Sequence, residues 1–382
     1  MRATGGKWAA RRAKTAWLAL ADGTVIRGES CGAPVDRLGE VVFNTGMTGY
    51  EEILTDPSYA GQIVTLTLPE IGNTGFNRED QESGLIHAAG LVIREMNPPS
   101  NWRSEESLPD ALRRWNIPAL AGVDTRSLTL RLRERGVQKA FLCTTESISP
   151  DEGIERARAW EGLDGQDYAS RVSTAEPFDW PSDAPADGPL VAVVDYGVKR
   201  NTLRLLADQG FRVRVLNAHS TAEDVLALNP AGVMLSNGPA DPAALAYAIQ
   251  TIQGLLGRVP IMGICLGHQL LGLALGGRTH KLMFGHHGCN HPVQDLRTGT
   301  VEVTSQNHNY VVDPDSLDPD VAQITHISLN DRTVEGLEAK HHPAFSLQFH
   351  PEAAPGPHDA IPAFARFHTT IRKRGQKKGS AN

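Results

Sequence analysis

The sequence predicts an α/β protein in two parts, a strand-rich α+β N-terminal domain followed by a domain built on a parallel sheet. Three observations carry this. Residues 16–146 give short apolar runs bounded by turn residues. From residue 190 the texture changes to strands alternating with helical segments, the mark of a parallel α/β sheet. Between them, 174–188 is rich in Pro, Asp and Ala and poor in apolar periodicity, as a linker is.

In chain order, residues 1–15 read as an N-terminal extension. Arg2, Lys7, Arg11, Arg12 and Lys14 come without an acid, but Trp17-Leu18-Ala19-Leu20 already begins a strand, which disfavours a transit peptide. Residues 16–21 and 24–28 flank Asp22-Gly23, a hairpin signal. Further short strands are expected at 41–45, 62–68 and 91–93, with a helix at 108–115. Asp124 is placed to cap a helix that Gly136 stops. In the second part, strands are expected at 191–194, 211–216, 231–235 and 260–264, with helices at 200–209 and 243–256. The division that follows is 16–146, a linker within 147–188, 189–372, and a solvated basic tail at 373–382.

Composition sets limits. Hydrophobic content of 40% and charged content of 21% are ordinary for a globular protein, and 382 residues suffice for two cores. The net charge of −7 argues against a nucleic-acid binder. No apolar run approaches the roughly 18 residues that cross a bilayer. Cys31, Cys143, Cys265 and Cys289 are scattered without a disulfide pattern, which suits a reducing cytoplasm and leaves one free as a nucleophile.

The chemistry centres on Gly263-Ile264-Cys265-Leu266-Gly267-His268-Gln269, directly after the apolar run Val259-Pro260-Ile261-Met262. This reads as a cysteine on a strand-to-helix elbow, with glycines that let the backbone bend tightly. A helix N-terminus favours thiolate there. The N–H of Leu266, just after the nucleophile, is an oxyanion donor by geometry. Taken alone, Gly-x-Cys-x-Gly fits a buried structural cysteine equally well. The second half lies at the end of an apolar strand, 344–349, in His350-Pro351-Glu352. There His350 would exchange a proton with Cys265 and Glu352 would orient the imidazole.

Together these motifs resemble the class I, or triad, glutamine amidotransferases. Ser236-Asn237-Gly238-Pro239-Ala240-Asp241-Pro242, Phe284-Gly285-His286-His287-Gly288 and Pro355-Gly356-Pro357-His358-Asp359 resemble, more narrowly, the small, glutamine-hydrolysing chain of carbamoyl phosphate synthetase. So do Phe43-Asn44-Thr45-Gly46-Met47-Thr48-Gly49-Tyr50, Leu54-Thr55-Asp56-Pro57-Ser58-Tyr59 and Ile71-Gly72-Asn73-Thr74-Gly75, in a half that other amidotransferases of the class lack. The resemblance implies a Cys265–His350–Glu352 triad. It also implies a glutamine site at Gly46, Gly238, Ala240, Leu266, Gln269, Asn307, Asn309 and Tyr310, with the Gly238 N–H as second oxyanion donor. It implies a heterodimer with a large subunit, possibly assembled as a tetramer of heterodimers. That subunit uses ATP and Mg to make carbamoyl phosphate for arginine and pyrimidine biosynthesis. This chain itself, without a P-loop, is expected to bind no cofactor, and neither nucleic acid nor membrane.

Four positions depart from the family pattern. Gly46 stands where many members carry Ser, Ala240 and Asn309 replace Gly, and Tyr310 replaces Phe. The missing hydroxyl at 46 predicts weaker glutamine binding by roughly 1 kcal/mol. Ala240 keeps its N–H but would be strained at positive φ, a conformation that Asn309 tolerates better. His280, His286, His287, Cys289 and His291 invite a zinc reading, but their spacing fits no common structural pattern and the family uses no metal there, so none is expected. Two other functions compete: a stand-alone γ-glutamyl cysteine hydrolase, and a non-catalytic partner whose pocket has decayed.

Overall fold

The computed structural model describes residues 15–239 and 241–379; the N-terminal extension, Ala240 and the last three residues of the tail lie outside the described residues. The first domain closes a seven-stranded barrel. Its order is Thr15–Leu20, Val25–Ser30, Ala119–Ala121, Gly90–Val92, Gln62–Leu66, Arg37–Asn44 and Gln138–Cys143, which pairs back with the first strand. The expected hairpin forms, with Gly23 at φ 96° in the turn, where glycine alone is unstrained. Leu18, Leu20, Val41, Ile63, Val92, Leu120 and Leu142 fill the interior. Closure itself is not written in any local pattern, because it pairs the first strand with one some 120 residues later.

The second domain is a ten-stranded sheet covered on both faces by helices. Its centre is parallel, in the order Arg212–Asn217, Leu190–Asp195, Gly232–Leu235, Ile261–Ile264 and Ala344–Leu347. These strands are buried on both sides and so read as near-continuous apolar runs. Helices Ala246–Leu255 and Leu266–Ala274 pack on one face, and Arg200–Asp208 and Pro362–Gly379 on the other. The sheet is mixed rather than purely parallel. Val334–Ala339, Ala322–Ser328, Thr279–Asp295 and Val301–Val312 extend it by antiparallel pairing.

Two readings need correction. Residues 147–188 are not a bare linker: helix Pro150–Ala159 packs Ile154 and Ala157 against Trp17 and Phe141 of the barrel. Phe178–Trp180 joins the second sheet as an edge strand. The start of the basic tail is helical, since Pro362–Gly379 runs on past residue 373, and Arg374 donates to the carbonyls of Gly257 and Arg258. Basic residues at a helix C-terminus suit the macrodipole, which a charge count alone does not reveal.

The halves are stitched together. Asn237 donates to Asp56 Oδ1 at 3.3 Å and Ser58 Oγ at 2.9 Å, and Asn307 donates to Asp56 Oδ2 at 3.1 Å. Lys281 meets Glu40 at 2.5 Å, and Glu82 accepts from the backbone of Arg200 and Asn201.

Candidate active site

Strands Ile261–Ile264 and Ala344–Leu347 are parallel neighbours with Ile264 opposite Leu347. Cys265 therefore leaves one strand where His350 follows the other, at the carboxyl edge where open α/β sheets gather their sites. The Cys265 N–H donates to the Leu347 carbonyl at 2.9 Å, fixing the turn. Cys265 itself has φ 52° and ψ −104°, a strained conformation for a non-glycine residue. The flanking glycines serve differently from the bend expected of them. A Cβ on Gly263 would sit 2.6 Å from the Gly267 carbonyl oxygen, and one on Gly267 would sit 2.3 Å from that of Leu235. They allow the helix to press onto the strands, while the cysteine carries the bend.

His350 and Glu352 are buried, with Nδ1 to Oε1 at 2.6 Å. The backbone of His350 is held by Ser305 at 2.9 Å. Its Nε2 is buried without a hydrogen-bond partner among the described residues, close enough to Cys265 for the sulfur to help raise the imidazole pKa. Burial opposes a charged ring, but the Glu352 carboxylate outweighs it, so His350 is held well above its ordinary value. Glu352 runs the other way. Burial would raise it, yet Lys199 and then His350 hold it well below the carboxylate range. Lys199, 2% exposed, lies 3.0 Å from Glu352 Oε1 and also donates to the Ala353 carbonyl. Sequence reading missed Lys199. The signal was its place just past strand Leu190–Asp195, on the same edge of the sheet.

Beside Cys265 opens a narrow cleft. Gly238, Gln269, Asn307, Asn309 and Tyr310 line it, joined by Glu40, Ser58 and Gln62 from the first domain. Gln269 Nε2 is committed to the Tyr310 carbonyl at 2.7 Å and to Gln348, which leaves its oxygen for a ligand. The Asn307 side chain bridges Asp56 and His287, and its carbonyl faces Cys265 Sγ at 3.5 Å. Asn309 has no positive φ, so tolerance of that conformation is not why it fits. Its amide spans His287 at 2.9 Å and Glu40 at 3.3 Å. Tyr310 uses its hydroxyl to bind Asp164 at 2.6 Å. Gly46 is buried off the cleft lining, and its N–H donates to Asn44 at 2.7 Å.

The N–H groups of Leu266 and Gly238 find no acceptor among the described residues. The two residues adjoin, since a Cβ on Gly238 would lie 2.9 Å from Leu266 Cδ2 and 2.1 Å from the Tyr196 carbonyl oxygen. A second cavity, touching His350 rather than Cys265, is lined by Asn44, Asp56, Tyr59, Lys199 and Cys289.

A cysteine elbow beside a His–Glu pair on a doubly covered α/β sheet defines a class I amidotransferase domain, and residues 192–370 match the model of glutamine amidotransferase class-I. Residues 18–142 match that of the carbamoyl-phosphate synthase small chain, CPSase domain. The carbamoyl phosphate synthase small chain of Thioalkalivibrio sulfidiphilus is 53% identical over 376 residues, covering 95% of this chain and 99% of its own. Those of Pseudomonas aeruginosa and Nitratidesulfovibrio vulgaris are 51% and 50% identical, each covering 94% of this chain and 99% and 98% of their own. This chain belongs to the carbamoyl phosphate synthase small chain family.

Proposed function

We propose that this chain is the glutaminase subunit of a carbamoyl phosphate synthetase, with Cys265, His350 and Glu352 as its triad. The observation that carries this is the pairing of strands Ile261–Ile264 and Ala344–Leu347, which brings the elbow and the His–Glu pair to one sheet edge. Glutamine binds in the cleft, and Cys265 Sγ attacks the carboxamide carbon as a thiolate whose proton His350 already holds. The imidazolium is stabilised by Glu352, itself anchored by Lys199. The oxyanion is received by the free N–H groups of Leu266 and Gly238, worth on the order of 3 kcal/mol per donor. His350 returns the proton to the departing nitrogen, giving ammonia and a γ-glutamyl thioester. Water activated by His350 then attacks the thioester and releases glutamate.

Ammonia leaves through the cavity beyond His350 toward a large subunit, which combines it with bicarbonate and two ATP. Heterodimer formation, ammonia transfer and a cytoplasmic setting belong to this reading; among the described residues no helix is long and apolar enough to cross a membrane. The rival γ-glutamyl hydrolase leaves the barrel without a task, although barrel residues Glu40, Ser58 and Gln62 wall the cleft.

Quenching the chain in acid during turnover of radiolabelled glutamine is expected to leave label on the peptide containing Cys265. Label elsewhere, or none under single-turnover conditions, would remove the nucleophile from the mechanism. Gly238→Ala forces a methyl against the Tyr196 carbonyl and shifts the second donor. It is expected to lower kcat by roughly 10²–10³-fold with little change in KM. A kcat within a factor of two of the parent would exclude Gly238 as a donor.

A further inference from the structure

The two long strands that wall the cleft carry a second set of side chains. His286 lies opposite His308 across the pair, and His287 lies opposite Asn307. Successive strand residues face opposite sides, so His287 bonds Asn307 and Asn309 on one face while His286 and His308 share the other. There they meet Glu335, from strand Val334–Ala339. All three are buried, and one ligating atom from each lies within 4.8 Å of the others.

Their hydrogen bonds do not close. His286 Nε2 sits 2.7 Å from Asp331 Oδ2, while His286 Nδ1 and Glu335 Oε1, 3.5 Å apart, have no hydrogen-bond partner among the described residues. His308 Nδ1 donates to the Tyr310 carbonyl at 2.9 Å, which in a neutral ring leaves the lone pair on Nε2. That lone pair faces Gln306 Oε1 at 2.8 Å, one acceptor against another. Turning the amide over does not help, because Gln306 Nε2 donates to Glu335 Oε2 at 2.9 Å and its oxygen would then oppose a carboxylate.

We propose that His286 Nδ1, His308 Nε2 and Glu335 Oε1 form a binding site for a divalent ion of the zinc class. Two imidazoles and a carboxylate are a known zinc donor set. The outer partners also fit, since a ligating histidine donates its other ring N–H to a carboxylate or a backbone carbonyl. His286 does so to Asp331 and His308 to Tyr310. An ion that takes the His308 lone pair removes the clash of acceptors. His291, whose Nδ1 is buried and unpaired, stands nearby with its ring 5.3 Å from that of His286 but outside the three-residue cluster, which leaves the fourth position to water. The ion would tie three strands together and fix the one that presents Asn307 and Asn309 to the cleft. Neither His280 nor Cys289 is in the set, and Glu335 lies too far along the chain for a motif to include it.

The test is titration of the chelator-stripped, full-length chain with Co²⁺ followed by visible absorption, and with Zn²⁺ against a fluorescent chelator. One ion per chain is expected, with a four-coordinate cobalt spectrum and a raised Tm. Asp331→Asn is expected to weaken binding by roughly 10–100-fold, Glu335→Gln by at least as much, and His280→Ala not at all. Circular dichroism checks that each variant is folded. Failure of the parent chain to take up either ion stoichiometrically at micromolar concentration overturns the proposal, leaving a buried ion pair only. Undiminished uptake by folded Glu335→Gln overturns it equally.

Discussion

Cys265→Ala, assayed with the large subunit present, is expected to lower glutamine-dependent carbamoyl phosphate synthesis by roughly ten-thousand-fold or more. Synthesis from added ammonium salt should persist. The size follows from the site's construction. Without the sulfur there is no covalent intermediate, and the oxyanion donors at Leu266 and Gly238 have no tetrahedral adduct to stabilise. Alanine removes the nucleophile while adding no bulk to a position packed at 2% exposure. The ammonia arm separates chemistry from assembly. Loss of both activities would mean that the complex had failed, and survival of the glutamine-dependent rate would end the proposed mechanism.

Lys199→Met is expected to be the most damaging change to stability, costing about 3–5 kcal/mol by leaving the buried Glu352 carboxylate without its lysine partner. Glutamine hydrolysis should fall with it, since the carboxylate that orients His350 loses the anchor that fixes its position. The loss should depend on pH. The folded-state pKa of Glu352 is depressed, so its contribution is complete above the unfolded value of about 4.3 and fades as pH falls through the lower folded value. His350 is raised, so its share is complete below about 6.5 and is lost as pH climbs through the folded value. Urea midpoints of Lys199→Met and the parent should therefore lie far apart near neutrality and converge in acid. A constant gap across that range would mean that the lysine acts by packing alone. The double variant Lys199→Met/Glu352→Gln should recover part of the stability and none of the activity.

The legible parts of this protein were those encoded locally. The elbow, the strand before His350, the Asp22-Gly23 hairpin and the helix between Asp124 and Gly136 each depend on a few adjacent residues, and each forms close to its expected bounds. What escaped depends on distant segments. Barrel closure joins strands from opposite ends of the first domain, and the antiparallel extension of the second sheet rests on pairings that no short window contains. Lys199 and Glu40 escaped for the same reason. Each is an ordinary charged residue until the fold sets it beside Glu352 or into the cleft. The helix at 150–159 was hidden by a different cause, a polar surface whose buried apolar side chains, Ile154 and Ala157, are too few to mark a period.

The reacting groups and part of the wall around them belong to different bodies. Cys265, His350 and Glu352 ride on one sheet, whereas Glu40, Ser58 and Gln62 come from the barrel and meet that sheet through Asp56, Asn237 and Asn307. A small rocking of the barrel would thus widen or narrow the doorway for the amide without altering the spacing of nucleophile and base. On the proposed function, a partner that grips the barrel would act first on admission, and on the chemistry only through Asn307, which bonds Asp56 and faces the sulfur.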